Sequence, residues 1–262
     1  MPLTDFQATL ARLLSANRSP DSYLAGGAAL HLEPNTSRYS NDLDYFNDSV
    51  ERVAAAHRED AELLEREGYA LEIDLQQPGF VRAVVRGEGQ ATKVEWAHDS
   101  AWRFLPTVRD ERVGYRLHPI DLATNKVLAL AGRDEVRDLL DVVEVHHEIL
   151  PLGAVCWAAA GKDPGFTPLL LLELLRRRGR VRPEDLARLH LAEAVDLTVL
   201  KQDWLTALEE AEAFVRSRPP EELGCLYYSP SRAGFFAPGE GAPDDLVPHH
   251  GRPGGVLPRV LE

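Results

Sequence analysis

The chain has 262 residues and is 44% hydrophobic, enough for one large or two modest domains with a real core. Its formal charge of -13, from 42 acids against 29 bases, argues against a general nucleic-acid coat, which would need clustered Lys and Arg to neutralise phosphates. Only a local basic patch is compatible with that balance. The two cysteines, Cys156 and Cys225, lack zinc-ligand spacing and predict reduced thiols in a cytoplasmic protein. Asp5 and its polar neighbours stand where a secretory signal would need an apolar core, and the greasiest run, "FTPLLLLELLRRRG", is interrupted by Glu173. That run is too short to span a bilayer, so no membrane role is expected.

Thr4 and Gln7 have capping-box spacing, and Phe6, Leu10, Leu13 and Leu14 continue with helical period. Tyr23 to Ala25 predicts a strand ending at Gly26-Gly27, followed by a short helix from Ala28 to Glu33 that Pro34 stops. Asp42 to Phe46 predicts a second strand. Asp48 with Glu51 suggests the next helix start; Val50, Val53, His57, Ala61 and Leu64 make its stripe, and Gly68 closes it. Three alternating strands follow, "ALEIDLQ", "FVRAVVRG" and "ATKVEWA", with turns at Pro78-Gly79 and Gly87-Glu88-Gly89. Residues 1–117 therefore predict an α/β (α+β) domain with a mixed sheet.

From His118 the period becomes helical. "HPIDLATNKVLALAGRDEVRDLLDVVEVHHEIL" predicts two helices broken near Gly132, with Asp134 capping the second. Further helical segments extend a C-terminal helical domain over 118–220, with Pro183 at a first helical position and Gly179 just past an end. Residues 221–262 are rich in Gly and Pro and predict a loop-rich tail.

The chemistry concentrates in "YLAGGAALHLEPNTSRYSNDLDYF". A strand's period of two puts Asp42 and Asp44 on one face, about 7 Å apart along the chain. Leu43 and Tyr45 take the other face. Two such carboxylates suit a hard divalent cation such as Mg²⁺, which also takes phosphate oxygens. Gly26-Gly27 before a helix lets backbone approach a phosphate.

On these residues, "LAGGAALHL" and "SRYSNDLDYF", the chain resembles the polymerase-beta-like nucleotidyltransferases, and specifically the AbiEii/AbiGii toxin branch. There a Gly-Gly helix start precedes an Arg-x-Ser-x-Asp-(Leu/Ile)-Asp-x-Phe strand. "HPIDLATNKVLALAGRDEVRDLLDVVEV" resembles that branch's helical segment with its Asn-Lys and Arg-Asp-x-x-Asp elements. The two ordered matches cover roughly the first 150 residues. The stretch from Gly27 to Asp42 is about one residue longer than is usual in the family.

The resemblance implies a Mg²⁺-dependent transfer (Mn²⁺ as a substitute) of a nucleoside monophosphate from an NTP, with an RNA acceptor such as tRNA and a restraining antitoxin partner. Gly26 and Gly27 would cradle the triphosphate, with Arg38 and Ser40 leading into the acids. Asp42 and Asp44 would hold the metal. Glu95 is favoured as the third acid over Glu72 and Asp74, because the family's third acid lies on a late strand. A Glu there departs from the superfamily's usual Asp and suits a base better than a close ligand. Lys126 would reach the nucleotide phosphates. Arg137, Asp138 and Asp141 follow it, and either aspartate could orient Lys126 or the acceptor; the i, i+4 pair Arg137–Asp141 could equally be a simple helix-surface pair.

Other residues point less far. His146-His147-Glu148 lacks the spacing of a zinc helix, and no strand-to-helix elbow surrounds Ser40 as a nucleophile. Arg176, Arg177, Arg178, Arg180 and Arg182 read either as cations complementing a helix C-terminus or as an RNA-docking patch. Two alternatives accompany the leading function: transfer to a small, aminoglycoside-like acceptor, and a non-catalytic module that binds nucleotide or partner on the same fold.

Overall fold

The computed structural model describes residues 3–32 and 38–258, which form two compact units. The first comprises residues 1–102, 106–118 and 253–255, and the second 103–105, 119–252 and 256 onward. The predicted helix end at Glu33-Pro34 lies outside the described residues.

In the first unit the chain runs α1 (Asp5–Leu14), β1 (Ser22–Ala25), α2 (Gly26–Leu30), β2 (Asp42–Asn47), α3 (Val50–Arg66), β3 (Ala70–Gln77), β4 (Phe80–Gly87) and β5 (Gln90–His98). Three short strands follow: β6 (Trp102–Arg103), β7 (Val108–Asp110) and β8 (Gly114–Arg116). Seven strands form one sheet in the order β3-β4-β5-β2-β1-β8-β7. β3, β4 and β5 are an antiparallel meander, whereas β2 runs parallel to β5 and β1 parallel to β8. The sheet is mixed, as expected, with β2 near its centre.

The Thr4–Gln7 capping box forms in both directions at α1. The cap of α3 is Ser49, accepting from the Arg52 N–H, rather than Asp48. A one-residue shift in a helix start is the usual error where two polar residues compete for the cap. Val50 is exposed and Ala61 half-buried, and the buried stripe of α3 is Val53, Ala56, Asp60, Leu63 and Leu64. α2 begins at Gly26, two residues earlier than expected, because Gly26 itself adopts a positive φ of 61° at the turn out of β1.

Asp60 belongs to that buried stripe because it is fully satisfied. Arg18 Nη2 donates to both its oxygens at 2.5 and 2.6 Å, Asn17 Nδ2 donates at 2.9 Å, and Trp96 Nε1 donates at 2.7 Å. The Arg18 guanidinium also lies 4.3 Å from the centroid of the Tyr45 ring. Both ionised side chains are sealed from water. A buried pair held this way is costly to break singly and far less costly to remove whole.

The second unit carries α4 (Pro119–Gly132), α5 (Val136–Glu148), α6 (Leu152–Lys162), α7 (Pro168–Arg178), α8 (Pro183–Leu186) and α9 (Leu197–Ser217). Its core includes Leu122, Val127, Leu139, Val142, Val155, Leu171, Leu175 and Leu208. Glu135, not Asp134, occupies the position before α5, without a side-chain cap. The segment from 221, expected as loops, carries β9 (Leu226–Ser229), β10 (Gly234–Phe235) and β11 (Val247–His249) in one small sheet, and β12 (Arg252–Pro253) beyond it. Strands of two to four residues are too short for alternation to show in sequence. Cys156 and Cys225 are both free and buried. Among the described residues no helix is long and apolar enough to cross a membrane.

Two outcomes follow from this packing. Arg18→Met and Asp60→Leu should each destabilise the first unit by about 3–5 kcal/mol, while the double variant loses clearly less than their sum, as measured by denaturant unfolding. Burial, aided by the nearby Arg116, depresses the His118 imidazole to about 4, below its unfolded value of 6.5. The unfolded chain therefore takes up a proton first on acidification. Stability relative to His118→Gln should be greatest above about pH 6.5 and fall steadily towards pH 4.

Candidate active site

β2 carries opposite chemistry on its two faces. Leu43 and Tyr45 are fully buried against the helices beneath, together with Val94 and Trp96 of β5. Asp42 and Asp44 occupy the other face, with Asp44 more exposed than Asp42. Across the β1–β2 ladder Ala25 pairs with Asp44, so the glycine turn begins beside that carboxylate. A Cβ on Gly26 would stand 1.9 Å from Asp44 Oδ2. Only a glycine fits there, for its φ and for its missing side chain.

Gly27 is similarly confined: a Cβ would meet Arg38 Nη2 at 2.8 Å and Ser40 Oγ at 3.3 Å. Arg38 is buried, with Nη1 donating to the Tyr39 carbonyl at 3.2 Å. Ser40, also buried, donates from Oγ to the Asp42 carbonyl at 3.0 Å and lies 3.3 Å from Asp42 Oδ1. Gln7 Nε2 anchors the segment by donating to the Ser40 carbonyl at 3.2 Å. Gly26, Gly27, Arg38, Ser40, Asp42 and Asp44 thus form one contiguous cluster. Ser40 fixes the start of β2.

Sheet order separates the three rival acids. In the parallel β2–β5 ladder Asp44 pairs with Glu95 and Asp42 with Lys93. Glu72 and Asp74 lie on β3, the edge strand, with β4 and β5 between them and β2. Glu95 Oε1 accepts from Arg82 Nε at 2.7 Å, and Arg82 Nη1 lies 3.9 Å from Asp74. Glu72 pairs instead with Arg86 at 3.3 Å. Among the described residues no three His, Cys, Asp or Glu side chains gather as a ready-made metal cluster. The hard oxygen donors that fit a divalent ion are therefore Asp42 and Asp44, with Glu95 adjacent but engaged by Arg82.

Arg82 escaped the sequence reading, yet its position was recoverable. The turn at Glu88-Gly89 pairs Gly87 with Gln90, and counting back along the antiparallel ladder brings Arg82 opposite Glu95.

The remaining predicted residues lie in the second unit. Lys126, expected to extend towards a ligand, is buried on α4, with Nζ 2.6 Å from Asp141 Oδ2 and 3.6 Å from Asp138 Oδ1. Arg133 joins through two donors to Asp138, at 2.6 and 3.1 Å. Arg137 is half-buried on α5, and Asp138 and Asp141 are fully buried. These charges form an internal network, and Asp141 receives Lys126 across two helices. The arginine cluster is also locally neutralised: Arg176 faces Glu212, Arg177 pairs with Glu173, Arg178 lies 3.7 Å from Asp134, and Arg182 pairs with Asp185.

Comparison with solved structures finds two whose fold is similar to this chain's. JHP933 of Helicobacter pylori superposes with a TM-score of 0.51 at 16% identity, over 82% of this chain and 95% of that one. MenT4, a nucleotidyltransferase toxin of Mycobacterium tuberculosis, superposes with a TM-score of 0.52 at 17% identity, over 82% of this chain and 83% of that one. The chain has the nucleotidyltransferase-type fold. No family sequence profile and no curated protein sequence matches it.

The glycine turn can be probed by itself. Gly26→Ala and Gly68→Ala both place a side chain at positive φ, but nothing lies within 4 Å of a Cβ at Gly68. Gly68→Ala should cost about 1 kcal/mol of backbone strain, and Gly26→Ala at least about 1 kcal/mol more for displacing Asp44, read by chemical denaturation.

Proposed function

We propose that this protein is a Mg²⁺-dependent nucleotidyltransferase. An acceptor hydroxyl attacks the α-phosphorus of an NTP, a new phosphorus–oxygen bond forms, the bond to the β-phosphate breaks, and pyrophosphate leaves. The observation that carries the reading is the seating of Asp44 directly against the Gly26 backbone, with Asp42 on the same strand face and Glu95 in register alongside.

That arrangement fits a divalent ion through its hard oxygen donors and fits a phosphate through the cradle that a Cβ would fill. When bound, Mg²⁺ (or Mn²⁺) would supply charge neutralisation on the phosphates and polarise them for displacement. The chain's own residues do the rest. Asp42 and Asp44 would hold the ion, Ser40 and Arg38 fix the loop that delivers Asp42, and Gly26-Gly27 would let backbone reach the triphosphate. Glu95, in register beside Asp44, would accept the hydroxyl proton on release from Arg82. Catalysis would come from positioning and electrostatics, with little covalent work by the protein.

The likeness to MenT4 supports a toxin role, and the AbiEii/AbiGii resemblance supports a tRNA or other RNA acceptor and a cognate antitoxin. A cytoplasmic site of action accords with this chemistry.

Incubation with each α-labelled NTP, Mg²⁺ and separate RNA, protein and metabolite fractions should place label in the RNA pool. Asp42→Asn and Asp44→Asn should each lower transfer at least 100-fold while leaving the fold intact by circular dichroism. Pyrophosphate release at the unaltered rate in either variant would refute the mechanism, and label confined to metabolites would favour the small-acceptor alternative.

A further inference from the structure

We propose that Gln7 is a positioning residue for the metal site: its buried amide clamps the entry of β2 to β5 and so sets where Asp42 is presented beside Asp44. The inference rests on the nucleotidyltransferase reading and adds to its metal site a residue that touches neither ion nor nucleotide. The two aspartates are held differently. Asp44 has a strand on each side, with Ala25 of β1 and Glu95 of β5 as partners, and is seated against Gly26. Asp42 is the first residue of β2 and in the ladder pairs with Lys93 alone, because β1 has already turned off at Gly26. A strand end held from one side is where pairing frays first. The position of Asp42 therefore depends on a further anchor.

Gln7 supplies that anchor from α1. Its side chain is buried, and both ends of the amide are engaged. Nε2 donates to the Ser40 carbonyl at 3.2 Å and to Thr92 Oγ1 at 3.2 Å, while Oε1 accepts from the Thr4 N–H at 2.9 Å. Thr92 and Ser40 lie just outside the first registered pair, Asp42 with Lys93. The amide thus continues the join between β2 and β5 past the point where backbone pairing stops. From Ser40 the link runs on to the acid, through Oγ to the Asp42 carbonyl at 3.0 Å and within 3.3 Å of Oδ1. The cap on α1 uses only Oε1, a task a glutamate performs as well as a glutamine. The bonds to Ser40 and Thr92 use both hydrogens of Nε2, which a carboxylate lacks. Two carboxylates sharing one Mg²⁺ must keep their separation, since that ion tolerates little departure from octahedral geometry. Loosening the Asp42 end therefore weakens the hold on the ion while Asp44 stays in its ladder.

The test is equilibrium binding of Mn²⁺ to the full chain without nucleotide, read by electron paramagnetic resonance, with Mg²⁺ measured by competition. Gln7→Glu keeps the cap acceptor and removes both donors; Gln7→Met removes donors and cap acceptor without burying a charge. Each should weaken binding of both ions about tenfold with the fold retained by circular dichroism, and either decides the matter where the other fails to fold. In pyrophosphate release the same variants should need about tenfold more Mg²⁺ for half-maximal rate, with the maximal rate recovered at saturating ion. Thr4→Ala, which breaks the cap and leaves the bonds to Ser40 and Thr92 in place, should keep ion affinity within about twofold of the unaltered chain. Ion affinity unchanged in the Gln7 variants, or lowered as much by Thr4→Ala, overturns the proposal. Asp42→Asn separates this inference from the reading beneath it. An ion lost with Asp42→Asn and kept in the Gln7 variants sinks only the role of Gln7, whereas an ion bound equally well without the Asp42 carboxylate sinks the metal site and the role of Gln7 with it.

Discussion

The fold depends on β2 and β5 each keeping one face dry and one face charged. Tyr45 and Trp96 are the dry anchors of those two strands, and one ionic group beneath the sheet grips both. Arg18 lies over the Tyr45 ring, and Asp60 accepts from Trp96 Nε1, while Arg18 and Asp60 bind each other. On the upper face the same two strands carry Asp44 and Glu95 as register partners. A slip of one residue would send every side chain of a strand to the wrong face, burying the carboxylates and exposing Leu43 and Tyr45. The buried pair is thus a register lock as much as a source of stability, because it pins the two acid-bearing strands from below.

The second unit uses the same device. There the buried ions are Asp138, Asp141 and Lys126, with Arg133 reaching in from the surface. Buried charges of this kind add little net stability over an apolar core of equal volume, but they are intolerant of misplacement, since a lone buried carboxylate costs several kcal/mol. They specify how α4 and α5 meet. A lysine held in such a network is positioned rather than flexible, and any outward role requires it to leave Asp141.

Much of the first unit could be read from the sequence because its strands are long enough to show their period. β2, β4 and β5 alternate cleanly, and their turns are marked by glycine, so Asp42, Asp44 and Glu95 could be assigned to faces without coordinates. What stayed hidden has definite causes. Choosing among Glu95, Glu72 and Asp74 required strand order, which local pattern does not encode. Asp60 gave no signal in the sequence because its partners, Asn17, Arg18 and Trp96, are distant along the chain. Lys126 looked solvent-facing for the same reason. β7 and β8, and the small sheet of β9 to β11, are held by pairing between pieces too short to carry a pattern.

The register also explains how three acids can share one corner of a sheet without forcing it apart. Like charges directly opposite on adjacent strands destabilise the pairing, and Asp44 with Glu95 is such a pair. The neighbouring register positions oppose it: Lys93 stands beside Asp42, and Arg82 stands beside Glu95 at 2.7 Å. The sign of charge therefore alternates across β2, β5 and β4 at all but one step. Removing the bases would leave three carboxylates in mutual repulsion on strands whose undersides are locked. The basic residues are consequently part of what lets the acids coexist.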